Sequence, residues 1–312
     1  MFRQKSYLGS KHHNNFLRIL FVVIPMVVIA GIAIPLIVII QRNNTIRMIQ
    51  KNLIQHWENG DYETVFDLSN QVLKIKPLDY FALMMRGFSS YHRALAQIHN
   101  EEMLNSIDTC IWSLRKALLI KENGANNTTI RYMLGKAYYY KGESFADLAV
   151  KFLEKAHNTA PDTMQDIPAY LGVLYARLRD YRRSVDAFAQ ALKQPEKPSD
   201  VLLLSAARSY IELGEPEQAK AYLVRCAETS NDVHSIVTAR LLLATILKNT
   251  GDRAGAEAQL TAVIDLNVEN GEAYYQLGEL YAVKDMAKAR TQWYKALQID
   301  PTHKQARAKL GI

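Results

Sequence analysis

Residues 270–301 read NGEAYYQLGELYAVKDMAKARTQWYKALQIDP, and this stretch decides the fold. Its first half carries an apolar stripe at positions i, i+3, i+4 and i+7, formed by Tyr274, Leu277, Gly278 and Tyr281. Its second half carries a stripe at i, i+4, i+7 and i+8, formed by Ala289, Trp293, Ala296 and Leu297. Two short amphipathic segments with a break between them predict a helical hairpin. The small residues Gly278 and Ala289 lie where the two helices would touch, so the hairpin is predicted to pack closely.

The same pattern recurs towards the N-terminus. Leu243 and Ala244 lie 34 residues before Leu277 and Gly278, and earlier copies begin at Leu171-Gly172 and Leu134-Gly135. A single hairpin of this size cannot bury both of its faces, whereas in-phase copies bury them against one another. The sequence therefore predicts an all-α solenoid of helical hairpins.

The recurring residues resemble the signature of the tetratricopeptide repeat (TPR) family. The resemblance is carried by Tyr274, Leu277, Gly278, Tyr281, Ala289, Trp293, Ala296 and Pro301. It implies a TPR α-solenoid of about seven hairpins, in which the first helices line a concave face that holds segments of partner proteins. The expected hairpins are 45–78, 79–124, 128–163, 164–198, 199–236, 237–270 and 271–302, followed by a capping helix at 303–312.

The second hairpin departs from the period. About 11 extra residues, including 97–104, separate Gly87 from the second-helix pattern that starts at Cys110. The extra residues predict either longer helices or a protruding loop. Cys110 and Cys226 both fall at packing positions, so we expect buried thiols rather than a disulfide.

A basic tail, residues 1–18, precedes Ile19–Ile40, which is 22 residues long and lacks charged, amide and hydroxyl side chains. At ~1.5 Å per residue this run spans the ~30 Å hydrocarbon core of a bilayer as a helix. A cleavable signal peptide is the alternative, because Gly31-Ile32-Ala33 resembles a small-x-small cleavage site. Cleavage there would leave an N-terminus of bare isoleucine and valine, which favours an uncleaved anchor.

A single span followed by repeats is similar to bacterial membrane-anchored TPR proteins, and we expect the inner, cytoplasmic membrane. Four Lys/Arg precede the span and three follow it closely, so the positive-inside bias is small. The short tail without acids favours an N-terminus in the cytoplasm and a repeat array outside it.

The formal net charge of +7 is not spread along the chain. Residues 1–60 hold seven Lys/Arg and one acid, which leaves the repeat array nearly neutral. A near-neutral array is a poor counter-ion for a phosphate backbone, so we expect no nucleic-acid binding.

The chain lacks the common sequence motifs of nucleotide, metal and nucleophile sites. Its histidines are scattered among different hairpins. We therefore expect a protein-binding scaffold and no enzyme, cofactor, metal or small-molecule substrate. The alternative is a membrane-bound, envelope-related enzyme with an unrecognised active site.

A second stripe on the first helix of the third hairpin marks the candidate partner site. It comprises Tyr132, Lys136, Tyr139 and Tyr140, and it lies on a different face from the packing stripe. The same phase adds Val173 and Arg177 from the fourth hairpin and Leu204, Arg208 and Glu212 from the fifth. These nine residues predict a groove with an aromatic wall and basic edges, suited to a segment with apolar anchors and an acid.

One TPR subclass clamps the C-terminal carboxylate of chaperones with a Lys and an Asn four residues apart on a first helix. No hairpin of this chain carries that pair at the matching positions. We therefore expect other protein partners, whose identity the sequence leaves open.

Overall fold

The computed structural model describes the backbone of residues 10–159, 164–193, 197–266 and 269–312, with side chains from residue 26 onward. Within these ranges the regular structure is helical, which confirms the predicted all-α class. The α-helices run in order as α1 Ser10–Glu58, α2 Tyr62–Ile75, α3 Tyr80–Ala96, α4 Asn100–Ile120, α5 Asn127–Lys141, α6 Ala146–Thr159, α7 Ile167–Arg177, α8 Tyr181–Ala191, α9 Asp200–Glu212, α10 Pro216–Thr229, α11 Val233–Asn249, α12 Arg253–Leu266, α13 Gly271–Tyr281, α14 Met286–Ile299 and α15 Lys304–Leu310.

Two compact units divide the chain at residue 130. In the first unit, α1 packs on α2, α2 on α3 and α3 on α4, which makes two successive hairpins. In the second unit, the helices pair within hairpins and each hairpin also packs on the next, from α6 against α7 through α14 against α15. This arrangement confirms the predicted hairpins packed on their neighbours.

Close contact within each hairpin explains the recurring glycine. A Cβ atom added to any of four glycines would lie within 2.6 Å of a side chain on the second helix of the same hairpin. The pairs are Gly87 with Leu114, Gly135 with Leu153, Gly172 with Phe188 and Gly278 with Trp293. Ala289 is fully buried in the last hairpin, as its position in the pattern predicts.

Helix starts follow from local sequence. Side chains that precede a helix accept a hydrogen bond from a backbone N–H in its first turn, which satisfies a donor that the helix itself cannot. These caps are Asp61, Asp79, Asp180, Ser199, Asp232, Asn270, Asp285 and His303. At the turn before α2, Gly60 has a φ of 72°, a conformation that favours glycine.

The extra residues of the second hairpin were expected to form either longer helices or a protruding loop. α3 ends at Ala96 and α4 begins at Asn100, so the additional sequence lengthens both helices and forms no protruding loop. Cys110 and Cys226 are free and buried, as expected.

One boundary differs from the sequence pattern. α11 begins at Val233, four residues before the expected start of its hairpin, because Asp232 caps it by accepting from Ser235 N–H at 2.9 Å. The connector at Pro161-Asp162 lies outside the described residues.

The N-terminal helix is continuous from the apolar run into the first hairpin. Its part from Met26 to Glu58 is long and apolar enough to cross a membrane, and its apolar window is not buried by other helices. A membrane anchor and a signal sequence share these properties.

Candidate functional site

Two adjoining cavities lie between α7 and α9 in the second unit. Their volumes are about 320 Å³ and 570 Å³. Val173, Phe188 and Ser205 line both, so the cavities form one continuous depression, which we call the α7/α9 groove. α7 and α9 are the first helices of successive hairpins, so their exposed faces lie side by side.

One end of the groove has an aromatic wall. Tyr139 and Tyr140 reach it from the C-terminal end of α5, and Tyr170 reaches it from α7. The Tyr139 ring meets the Tyr170 ring edge to face, with 4.9 Å between centroids. Arg177 covers the Tyr139 ring at 4.4 Å and donates to the Tyr139 backbone carbonyl at 3.3 Å. These contacts hold the side chains of the aromatic wall in place.

The floor of the groove is apolar and in part open to solvent. Ala169 and Val173 contribute from α7, and Phe188 closes the bottom from α8. Val201 is 70% exposed at the rim. An exposed valine beside a concave apolar floor provides a position at which an apolar anchor of a partner loses water contact.

The other end of the groove carries charges that are unpaired among the described residues. Arg208 and Glu212 lie one turn apart on α9 and line the larger cavity with Arg179. All three are exposed, and none makes an ion pair or side-chain hydrogen bond with another described residue. Of the neighbouring arginines, Arg182 pairs with Glu215 at 2.9 Å and Arg183 with Asp180 at 2.6 Å. The groove thus retains two unpaired cations and one unpaired anion.

Tyr132 and Lys136, two of the predicted site residues, serve another contact. The Tyr132 hydroxyl donates to Asp166 Oδ2 at 2.7 Å, and Lys136 Nζ lies 3.0 Å from the same oxygen. Burial raises the pKa of Tyr132 to about 12, so the phenol stays protonated and remains a donor. Burial lowers the pKa of Lys136, but its bonds to Tyr132 and Asp166 outweigh this and the net direction is upward. The pair ties α5 to the start of α7 and lies outside the groove.

Leu204 also differs from the predicted grouping. It is partly buried against the core cluster formed by α9, α10 and α11, which includes Leu203 and Leu243. The residues of α9 that line the groove are Val201, Leu202, Ser205, Arg208, Ser209 and Glu212. Of the nine predicted residues, the structure therefore brings six to the groove, namely Tyr139, Tyr140, Val173, Arg177, Arg208 and Glu212.

The first unit contains a cavity of about 620 Å³ at a place that the sequence pattern does not predict. Arg86 lies 4.7 Å from the Trp112 ring centroid and donates to Ser113 Oγ at 3.0 Å. Lys116 lies over the same ring at 3.9 Å. Burial lowers the pKa of Arg86. Trp112 falls outside the apolar packing stripe of α4. A large aromatic residue at such a position is the one feature of the sequence that could have indicated this surface.

Clusters of three or more His, Cys, Asp or Glu residues able to hold a metal ion do not occur in the described part of the chain. Burial raises the pKa of the Cys110 thiol well above its usual range. That thiol is therefore unsuited to nucleophilic chemistry.

Comparison with known families identifies two stretches of the chain. Family models described as tetratricopeptide repeat match residues 202–232 and residues 241–304. The first stretch begins in the first turn of α9 and includes α10, and the second runs from within α11 to the first residue of α15. Comparison with curated proteins gave no match.

Two solved structures show the same fold. The C-terminal part of a TPR repeat-containing protein from Cytophaga hutchinsonii is 16% identical with a TM-score of 0.62, covering 83% of this chain and 98% of that one. YrrB, described as a TPR protein with an unusual peptide-binding site, is 24% identical with a TM-score of 0.50, covering 64% of this chain and 98% of that one. Residues 202–232 and 241–304 thus match tetratricopeptide repeats, and the two solved structures show that the wider chain shares the fold of TPR proteins.

Proposed function

We propose that this protein is a membrane-anchored scaffold that binds segments of partner proteins in the α7/α9 groove. The observation that carries the proposal is the groove itself, in which an apolar floor adjoins the unpaired side chains of Arg208 and Glu212. A surface used only for packing would have these charges paired or the apolar side chains covered. The likeness to YrrB concerns the fold, so the proposal depends on the groove of this chain.

The groove chemistry indicates the kind of segment that it accepts. The aromatic wall and Val173 suit an apolar anchor, and Arg208 with Arg179 suits an acidic side chain a short distance along the segment. Anchors in desolvated pockets commonly supply most of the binding energy, whereas rim charges mainly set orientation and association rate.

The apolar helix supports the membrane part of the proposal. α1 runs without interruption through Gly31–Ala33 to Glu58, so the stretch that resembles a cleavage site lies inside a continuous helix. An uncleaved Ile19–Ile40 would hold the repeats at the bilayer, with the N-terminus in the cytoplasm and the repeats outside. Intact mass and resistance to alkaline carbonate extraction test the anchor, and an export-dependent reporter fused after Ile312 tests the orientation.

The binding proposal is tested with the double variant Val201→Glu/Arg208→Glu in the full chain. Both residues are exposed, so the variant reverses the groove's charge and polarity without removing buried packing. Val224→Glu/Arg225→Glu is the matched control, because it makes the same exchanges at exposed positions of α10. Tyr139 is a poor choice for this test, since its ring supports Tyr170 and Arg177.

Quantitative mass spectrometry of proteins that co-purify from native membranes gives the readout. We expect the groove variant to lose a stoichiometric partner by at least about 30-fold, the loss of one binding hot spot. The control should keep that partner, and both should keep the melting temperature of the parent. Equal recovery of every partner with both variants would contradict the proposal.

A further inference from the structure

One end of the first unit lies at the level where the apolar run ends. The side chain of Arg42, two residues beyond Ile40, donates a hydrogen bond to the backbone carbonyl of Ile75 at the end of α2. Two helical residues correspond to about 3 Å along α1. The α2–α3 turn therefore lies close to the plane at which Ile19–Ile40 would leave the hydrocarbon.

The end of α4 lies at the same level. α3 begins directly after that turn, and Lys121 Nζ lies 5.5 Å from the ring centroid of Tyr80 in the first turn of α3. The Tyr80 hydroxyl also bonds Asn127 Oδ1 at 3.2 Å, which fixes the connector after α4 beside it. We call residues 74–78 and 119–121 together the proximal edge.

The proximal edge exposes large apolar side chains that helix packing leaves uncovered. Leu78 is 58% exposed and Leu119 is 85% exposed, and Ile120 beside it is also exposed. Leu78 lies in the turn between α2 and α3, directly after Pro77, which lacks the backbone N–H needed to extend α2. Exposed leucines of this kind bury their side chains at the boundary between headgroups and acyl chains when a bilayer lies beside them.

Basic side chains surround these leucines. Four basic residues lie at this end, compared with two acids. The basic residues are Arg42, Lys74, Lys76 and Lys121, and the acids are Asp79 and Glu122. Lys76 pairs with Asp79 at 3.1 Å, whereas Lys74 and Lys121 are exposed without an ion pair to another described residue. Lysines that flank interfacial leucines favour anionic headgroups, each by a factor of about five.

We propose that the proximal edge binds the headgroup layer of an anionic bilayer and so fixes the first unit against the membrane. This inference rests on the proposed anchor, because it requires Ile19–Ile40 to span the same bilayer. It adds a second, peripheral contact, with Leu78 and Leu119 inserted and Lys74 and Lys121 paired with lipid phosphates. Two contacts restrict the tilt of the first unit, where a single helix would leave it free to swing.

The opposite end of the same helices provides an internal control. Ile98, in the α3–α4 turn, is 95% exposed. It precedes α4, whose 21 residues extend about 30 Å from that turn to the proximal edge. Ile98 thus matches Leu119 in exposure and polarity but lies far from the proposed lipid contact.

The test uses the full chain reconstituted in phosphatidylcholine vesicles containing phosphatidylglycerol. Single cysteines at Ile29, Leu78, Ile98 or Leu119 carry a fluorescent label, and the buried Cys110 and Cys226 stay unmodified. Nitroxides on lipid headgroups or on acyl chains then quench labels at those depths. We expect headgroup quenching at positions 78 and 119 at least fivefold above that at 98, and acyl-chain quenching at 29.

Each outcome separates the two proposals. Quenching at 29 with positions 78 and 119 no different from 98 would overturn the edge contact and leave the anchor intact. Absence of acyl-chain quenching at 29 would overturn the anchor and this inference with it.

A charge variant separates headgroup binding from mere nearness. In anionic vesicles, the variant Lys74→Glu/Lys121→Glu should show severalfold lower headgroup quenching at position 119 than the parent. The parent should also show lower quenching at position 119 in vesicles of phosphatidylcholine alone than in anionic vesicles. Quenching that is equal in both vesicles and in both proteins would overturn recognition of anionic lipid.

Discussion

Gly278→Ala adds a methyl group where the last hairpin has no room for one. Its Cβ would lie 2.3 Å from Nε1 and 2.4 Å from Cδ1 of Trp293, although ordinary van der Waals contact starts at 3.4 Å. Trp293 is 2% exposed and packs in a cluster with Ala289, Ala296 and Ala306. The indole must therefore shift by about 1 Å within a filled core, or the two helices must separate.

Opposing effects set the size of the change. Overpacking of this kind costs about 1–3 kcal/mol. Replacing a glycine inside a helix with alanine stabilises the helix by about 0.5–1 kcal/mol. The free energy of unfolding of the last hairpin should therefore fall by about 1 kcal/mol, within a range of roughly 0–2.5 kcal/mol, and Gly278→Leu should lower it further.

Hydrogen exchange measured on peptides from α13 and α14 of the full chain is the suitable assay, because repeats open locally. Gly271→Ala is the control on the same helix, since its Cβ would meet no atom closer than 3.3 Å. Trp293→Leu should relieve the clash, so the double variant should cost less than the sum of the two single changes. A stabilising Gly278→Ala, or strict additivity with Trp293→Leu, would refute this account of the glycine.

Two further predictions concern helix ends. Arg179 has a φ of 59° at the position where other hairpins place Gly60 and Gly214, so Arg179→Gly should raise the free energy of unfolding by up to about 1 kcal/mol, measured by thermal unfolding; a loss of stability would contradict the strain. The hydrogen bonds from the Ser235 hydroxyl and backbone N–H hold the pKa of Asp232 below its usual value, so this cap stabilises the fold above pH ~4 and its contribution disappears as the pH falls through the folded pKa. Asp232→Asn keeps a cap acceptor without a titrating group, and its melting temperature should fall less than that of the parent between pH 5 and about 2.5; parallel curves would refute the assignment.

The hairpins were predictable because their cause is local and repeated. Gly278, Ala289 and Trp293 recur at helical spacings, and the structure places Gly278 against Trp293, which packs with Ala289. Leu277 packs instead in the cluster shared with the preceding hairpin. The face of α9 that lines the groove was harder to predict from the sequence. Leu204 and Arg208 share a helical stripe, yet Leu204 packs partly buried against the core cluster of α9, α10 and α11.

Tyr132 and Lys136 lie outside the groove because they bind a residue that is distant in sequence. Asp166 lies in a connector 34 residues after Tyr132, and its carboxylate accepts from both side chains only once α7 packs beside α5. A single sequence carries no signal for such a contact. Arg177 was predicted as a groove cation, and the structure adds that its charge lies over Tyr139, which leaves Arg208 as the available cation on α9.

Site-specific photo-crosslinking in native membranes tests directly whether a partner protein binds in the α7/α9 groove. A photoreactive residue replaces Ser205, which lines both cavities of the groove, and in a second sample replaces Val224 on α10. We expect a discrete crosslinked partner polypeptide from position 205, none from position 224, and loss of the crosslink when Arg208→Glu is added. A partner captured from position 224 and not from 205 would contradict the claim that the α7/α9 groove is where this scaffold binds.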